Sequence, residues 1–207
     1  MSHALESRPK ATYADIEALA PNLVGEILAG ELHVSPRPAM PHAEAASLLG
    51  GLLTPPFRLG RGGPGGWRIL DEPELSLGVD PDYDPVVPDL AGWRLESMPE
   101  RLETAQVHTT PQWVCEVISP SSLRKDRFLK LPFYARAGVA HAWLVDPLNE
   151  TLEVFALDGG TWRVAGLYQG DVTVHAPPFD AVGLCLTWLW GRTPPDATDE
   201  PAPTLDR

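Results

Sequence analysis

Two carboxylates stand in strands that are otherwise apolar, and they are the residues most able to do chemistry. Trp113-Val114-Cys115-Glu116-Val117-Ile118 reads as a strand closed by the turn Ser119-Pro120-Ser121-Ser122. Alternate strand residues share a face, so Glu116 points the same way as Val114 and Ile118. A charge on such a face is costly unless it is paired or bound to a metal. The stretch Val86-Val87-Pro88-Asp89-Leu90-Ala91 sets a second acid in the same kind of surroundings. Two acids on adjacent strands can share one divalent cation. Mg²⁺ prefers oxygen ligands, keeps several waters and takes one or two carboxylates. Asp89 and Glu116 are the candidate ligands, with the Val117 carbonyl as a third oxygen and Mn²⁺ as the substitute ion. A cation held there would lower the pKa of a bound water and offset charge growing on a phosphate.

A cationic side chain near such a site orients the water or neutralises the phosphate. Asp126, Lys130 and Tyr134 recur every four residues, which puts all three on one helical face. If that face lies over the sheet, Lys130 reaches the metal; otherwise Asp126 and Lys130 form a surface ion pair worth about 0.3–0.5 kcal/mol. His42 either caps the helix it opens or stands at the rim of the cleft, and Glu44 is a candidate to approach the metal from that helix. His42-Ala43-Glu44 has the H-x-E form of zinc deaminases, but no P-C-x-x-C follows it. Ser119, Ser121 and Ser122 lack a base at recognisable spacing and read as turn and cap residues.

The elements that must position these groups follow from periodicity and punctuation. A short helix starts after Thr12, and two strand-like pieces flank Ala29-Gly30 as a tight hairpin. Ala45, Leu48, Leu49, Leu52 and Leu53 give a helix over 42–53, stopped by Thr54-Pro55-Pro56. The glycine-rich loop over 58–66 lacks the preceding strand and following helix of a phosphate-binding loop. Strands follow at 67–70, 74–77 and 86–91, then the Glu116 strand. A helix over 124–137 ends at Gly138, with Pro132 either kinking it or lying in its first turn. A strand at 142–145, a hairpin over Asp158-Gly159-Gly160 and an apolar piece at 184–190 complete the order. The pattern predicts a mixed central sheet flanked by helices, of α+β or α/β character, with additional N- and C-terminal hairpins.

The 207 residues suit one domain over 12–192, with a flexible leader over 1–11 and a disordered, acidic, proline-rich tail over 193–207. A formal charge of −12 argues against a broad non-specific nucleic-acid surface. Part of that charge lies in Asp71, Glu72, Glu74, Asp80, Asp82 and Asp84, a solvated loop or an attractor for cations. No apolar run is long enough to span a membrane. Cys115 and Cys185 form no metal or redox motif, and a reduced cytoplasmic setting is expected. Most of the seven tryptophans alternate with aliphatic residues and are expected in the core, not against bases.

Several blocks together resemble a known family. Pro88-Asp89, then Glu116-Val117-Ile118, is similar to the acidic motifs of the PD-(D/E)XK nuclease superfamily. Val-Pro-Asp-Leu, Glu-Val-Ile-Ser-Pro-Ser, Lys-Leu-Pro-Phe-Tyr-Ala-Arg-Ala-Gly-Val and Trp-Leu-Val-Asp-Pro more narrowly resemble the Uma-type restriction-endonuclease family, across residues 12–190. The resemblance implies a restriction-endonuclease-like core, Mg²⁺ dependence, DNA as substrate, and Asp89, Glu116 and Lys130 as catalytic residues. It also makes a homodimer an expectation, since small nucleases of this kind pair to cut two strands. One departure is plain: the superfamily's lysine two residues after the acid is Ile118 here, so Lys130 takes its place, with Lys125 as the weaker candidate. The competing expectation is a catalytically silent member that binds nucleic acid or protein through the same cleft.

Overall fold

The computed structural model describes residues 9–36, 38–98 and 103–194. The expected leader and tail fall largely outside the described residues. A six-stranded mixed sheet forms the centre. Its strands are β3 (Trp67–Asp71), β5 (Leu90–Arg94), β7 (Trp113–Val117), β8 (His141–Asp146), β9 (Thr151–Asp158) and β10 (Thr161–Gln169). Their order across the sheet is β10-β9-β8-β7-β5-β3, in which only β7 and β8 pair in parallel, joined by a helical crossover. The short strands β4 (Glu74–Leu75) and β6 (Gln106–Val107) form a separate parallel pair. After the short helix α1 (Tyr13–Glu17), the N-terminal hairpin, β1 (Val24–Leu28) and β2 (Glu31–Ser35), is a separate two-stranded sheet. The C-terminal hairpin, β9 and β10, instead supplies the two strands at one edge of the central sheet. Ala29 and Gly30 both have positive φ (53° and 77°), the backbone that a two-residue hairpin turn demands.

Strand alternation decides which side of the sheet each residue serves. Trp113, Cys115 and Val117 pack on one face with Trp67, Trp143, Phe179 and the apolar side of helix α2 (Met40–Leu53). Val114 and Ile118 pack on the other with Phe133, Tyr134 and Val139 from the crossover. Trp67, Trp93, Trp113 and Trp143 are all buried, so their place is in the core. Phe179 is the hub of the first face: the rings of Phe57, Trp67, Trp113 and Trp143 lie 4.7–5.7 Å from it. Gly92 is fixed by that packing, because a Cβ there would come within 3.1 Å of the Trp113 ring.

Three departures from the sequence reading have physical causes. Thr54-Pro55-Pro56 does not stop α2; the chain continues as a π turn (Thr54–Arg58), closed by the Leu59 amide on the Thr54 carbonyl. The wider ring accommodates prolines that cannot donate. The strand expected over 86–91 begins only at Leu90. Pro88 has no amide to give to a ladder and keeps Asp89 out of the paired segment, although Val86 bridges Leu75. The crossover is also not a plain α-helix: α3 (Leu123–Lys125) and α4 (Leu131–Arg136) flank a π turn, Asp126–Lys130. Pro132 lies in the first turn of α4. Gly138, at φ 77°, follows its last turn, as a C′ residue should.

Candidate active site

The N-terminal hairpin, the start of α2, the end of β7 and the π turn enclose a cavity of about 300 Å³. Asp89 and Glu116 both line it, with Val117, His42, Asp126 and Lys130. Two acids separated by 26 intervening residues therefore share one cleft, together with the helical face that spacing marked out. The Val117 amide donates to Asp89 Oδ2 at 2.6 Å, and His42 Nε2 lies 3.1 Å from Asp89 Oδ1. His42 is not the helix cap, a place held by Ala39; it stands against Asp89. Burial disfavours a charged imidazole there, but the Asp89 carboxylate outweighs it and raises the His42 pKa.

Glu116 is 3% exposed and holds the centre. Lys130 donates to its Oε2 at 2.8 Å and the Tyr134 hydroxyl to its Oε1 at 2.6 Å. Burial, then the charges of Asp126, Asp89 and Glu26, push the Glu116 carboxyl well above the usual range, with Lys130 pulling the other way. Burial works against the charge on Lys130, yet Glu116, Glu26, Asp126 and Asp89 together hold it protonated, above the ordinary lysine range. Asp126 and Lys130 are each 2% exposed, so the surface ion-pair alternative does not describe them.

Glu44 is not part of this cleft. Two residues from His42 on an α-helix, it is turned roughly 200° away, and its carboxylate lies against Gly191. The acidic segment disperses as well: Glu72 lines the cavity, whereas Asp82 pairs with Lys10, Asp80 with Arg136, Glu74 with Tyr13 and Asp84 with Ser76.

Glu26 is the residue that sequence reasoning missed. It projects from β1 and is 2% exposed. It accepts from the Val87 amide at 2.9 Å and from Lys125 at 2.6 Å, and lies 3.1 Å from Lys130. Burial alone would raise its pKa, but Lys130 and Lys125 override that and bring it down to about 2. The signal was present in Val24-Gly25-Glu26-Ile27-Leu28, an acid inside an apolar strand, the same pattern that singled out Glu116.

The donor set fits a hard cation. Five carboxylates line the cavity (Glu26, Glu72, Asp89, Glu116 and Asp126) against Lys125, Lys130 and His42, leaving negative charge in excess. Both oxygens of Asp89 and of Glu116 face one protein nitrogen or hydroxyl each. A carboxylate oxygen has a second lone pair, free for a metal. Among the described residues no three His, Cys, Asp or Glu side chains form a ready-made cage.

A mixed sheet carrying two acids and a lysine at one cleft defines the restriction-endonuclease-like class of folds. Residues 12–188 match the Uma2 family, described as "Putative restriction endonuclease", and the chain belongs to that family. Among solved structures it is similar to the crystal structure of "a putative nuclease belonging to DUF820" from Anabaena variabilis. The two share 19% sequence identity at a TM-score of 0.67, over 86% of this chain and 95% of that one. At that identity the likeness is one of fold. No curated protein matches the sequence. The family's description and the nuclease-like fold both support a nuclease. Among the described residues, no helix is long and apolar enough to cross a membrane.

Proposed function

We propose that this protein is a Mg²⁺-dependent endonuclease that hydrolyses phosphodiester bonds in DNA, with Mn²⁺ as an alternative ion. The observation that carries the reading is the Glu116 cluster: a buried acid fixed by Lys130 and Tyr134 in a cleft that also holds Asp89. Asp89, Glu116 and the Val117 carbonyl would hold the metal. When bound, it supplies a water of lowered pKa and offsets phosphate charge.

The chain's own residues do the positioning. The Val117 amide and His42 orient Asp89 from two sides. Lys130 and Tyr134 fix both oxygens of Glu116, and the Lys130 charge makes its ionised form tolerable in a buried site. Cutting both strands calls for two such clefts, which a homodimer supplies; light scattering would give its mass. A reducing compartment such as the cytoplasm fits two cysteines that are both free thiols.

The test is cleavage of supercoiled plasmid with Mg²⁺ or Mn²⁺ by the parent chain, Asp89→Asn and Glu116→Gln. Both variants should lose cleavage while keeping the parent's circular dichroism spectrum; undiminished cutting by either would remove the proposed site. One observation favours the silent-binder reading: every oxygen of Glu116 is already engaged within the protein. Calorimetry with Mn²⁺ separates the two, since a silent cleft shows no uptake that depends on Asp89.

A further inference from the structure

Lys130 is poorly placed to touch a substrate. An ammonium group has three protons. It donates two of them to the Val87 carbonyl (2.7 Å) and Glu116 Oε2 (2.8 Å), and Glu26 Oε1 pairs with its charge at 3.1 Å. It lines the cavity, but with 2% of its side chain exposed and two carboxylates on its ammonium group it is turned into the protein. Lys125 is the more open of the two. Its side chain is 18% exposed and lines the cavity. Glu26 Oε2 at 2.6 Å and Ser35 Oγ at 3.3 Å occupy two of its protons, leaving one for the cleft.

The π turn explains how both lysines come to one carboxylate. On an α-helix, residues five apart are turned by about 140°, so Lys125 and Lys130 would look in different directions. A π turn closes on the fifth residue, and here the Leu131 amide bonds the Asp126 carbonyl. The wider turn narrows the angle between residues five apart, and Glu26 spans both ammonium groups with its two oxygens. The hairpin that carries Glu26 is fastened in place: the Ile27 amide bonds the Pro85 carbonyl and the Gly30 amide bonds the Asp82 carbonyl.

We propose that Lys125 is the cation that contacts the substrate's phosphate, with Glu26 as the positioning residue that holds Lys125 in the cleft and Lys130 on Glu116. The assignment rests on the nuclease reading above and names the phosphate-binding group within it. Lys130 then acts through Glu116 alone, as a positioning residue.

The chain has three lysines, Lys10, Lys125 and Lys130, so an NMR spectrum of the lysine ammonium groups is directly assignable from single Lys→Arg variants. A short DNA duplex added to the full chain in EDTA, where nothing is cut, should shift the Lys125 signal and leave Lys130 unmoved. A shift at Lys130 with Lys125 static, or a duplex that binds or fails to bind without moving Lys125, would overturn the assignment.

In cleavage assays Lys125→Ala should raise KM about tenfold, the weak end for a charge-assisted hydrogen bond. It should also reduce the log–log salt slope of binding by about 0.9, the signature of one lost duplex phosphate contact. Lys125→Arg should restore both. Glu26→Gln adds net positive charge to the cleft, which by itself favours DNA; a rise in KM together with a fall in kcat marks its positioning of Lys125 and Lys130. Normal KM and salt slope in Lys125→Ala would refute the contact while Asp89→Asn still tests the nuclease. Cleavage that survives Asp89→Asn would remove the nuclease reading and leave the Lys125 shift to be judged separately.

Discussion

Replacing Lys130 with methionine tests the electrostatics of the cleft most directly. The side chain is buried, and methionine nearly matches its length while removing the charge. Two acids lose their partner, but unequally. Glu26 keeps Lys125 and the Val87 amide, whereas Glu116 keeps only the Tyr134 hydroxyl. Glu116 is therefore the carboxylate left uncompensated. Removing one member of a buried pair costs about 3–5 kcal/mol. At about 2–4 °C per kcal/mol for a chain of this size, the melting temperature should fall by about 6–20 °C. The loss should depend on pH, with a definite sign. Glu116 has its folded-state pKa raised above the usual value of 4.5, so folding takes up a proton as pH rises past that value. Such a group favours the folded state fully below its unfolded pKa, and that contribution disappears as pH climbs through the raised one. Without Lys130 the pKa rises further. The deficit should thus be small near about pH 5 and largest near about pH 8, read by circular dichroism melts at both. Lys130→Met combined with Glu116→Leu should recover most of the loss, because an apolar pair can replace a buried ion pair. A single variant melting within about 2 °C of the parent at both pH values would refute the account.

Glu26 should behave with the opposite sign: held down to about 2, it stabilises the fold above its ordinary value of 4.5 and loses that contribution as pH falls toward 2. Urea midpoints across that range should fall more gently for Glu26→Gln than for the parent. Tyr134→Phe removes the hydroxyl on Glu116 Oε1 and should cost about 1–3 kcal/mol, the penalty for a buried acceptor left unmet, measured by chemical denaturation. Phe179→Ala empties the centre of four aromatic rings and should cost about 3–5 kcal/mol, leaving the cleft's metal uptake in calorimetry unchanged if the folded form persists.

Much of the fold was legible because its signals are local. Alternation in 113–118 assigned each residue to the correct face, and Ala29-Gly30 announced a two-residue turn that the register Leu28 to Glu31 confirms. What failed was punctuation by proline. Reading Pro55-Pro56 as a stop assumes the only helical ring is the α ring, and the wider π ring removes that premise. Pro88 has the contrary effect: the apolar run 86–91 reads as strand, yet the missing amide at its middle leaves Asp89 outside the ladder and free to face the cleft.

The same limit explains how the site was read. Asp126, Lys130 and Tyr134 were legible because four-residue spacing keeps them on one side in an α-helix, and they remain so through the π turn. Lys125 looked displaced from that side because the extra residue in the turn has no signature in residue types beyond the proline that follows it. Glu26 had a signature, an acid between a glycine and two apolar residues, but its partners lie 61 to 104 positions along the chain. No spacing rule reaches that far. A buried carboxylate announces only that something must compensate it. Here two lysines do so, and because one of them faces the open cleft, the residue that satisfies the fold's electrostatics also sets the direction of the charge a substrate would meet.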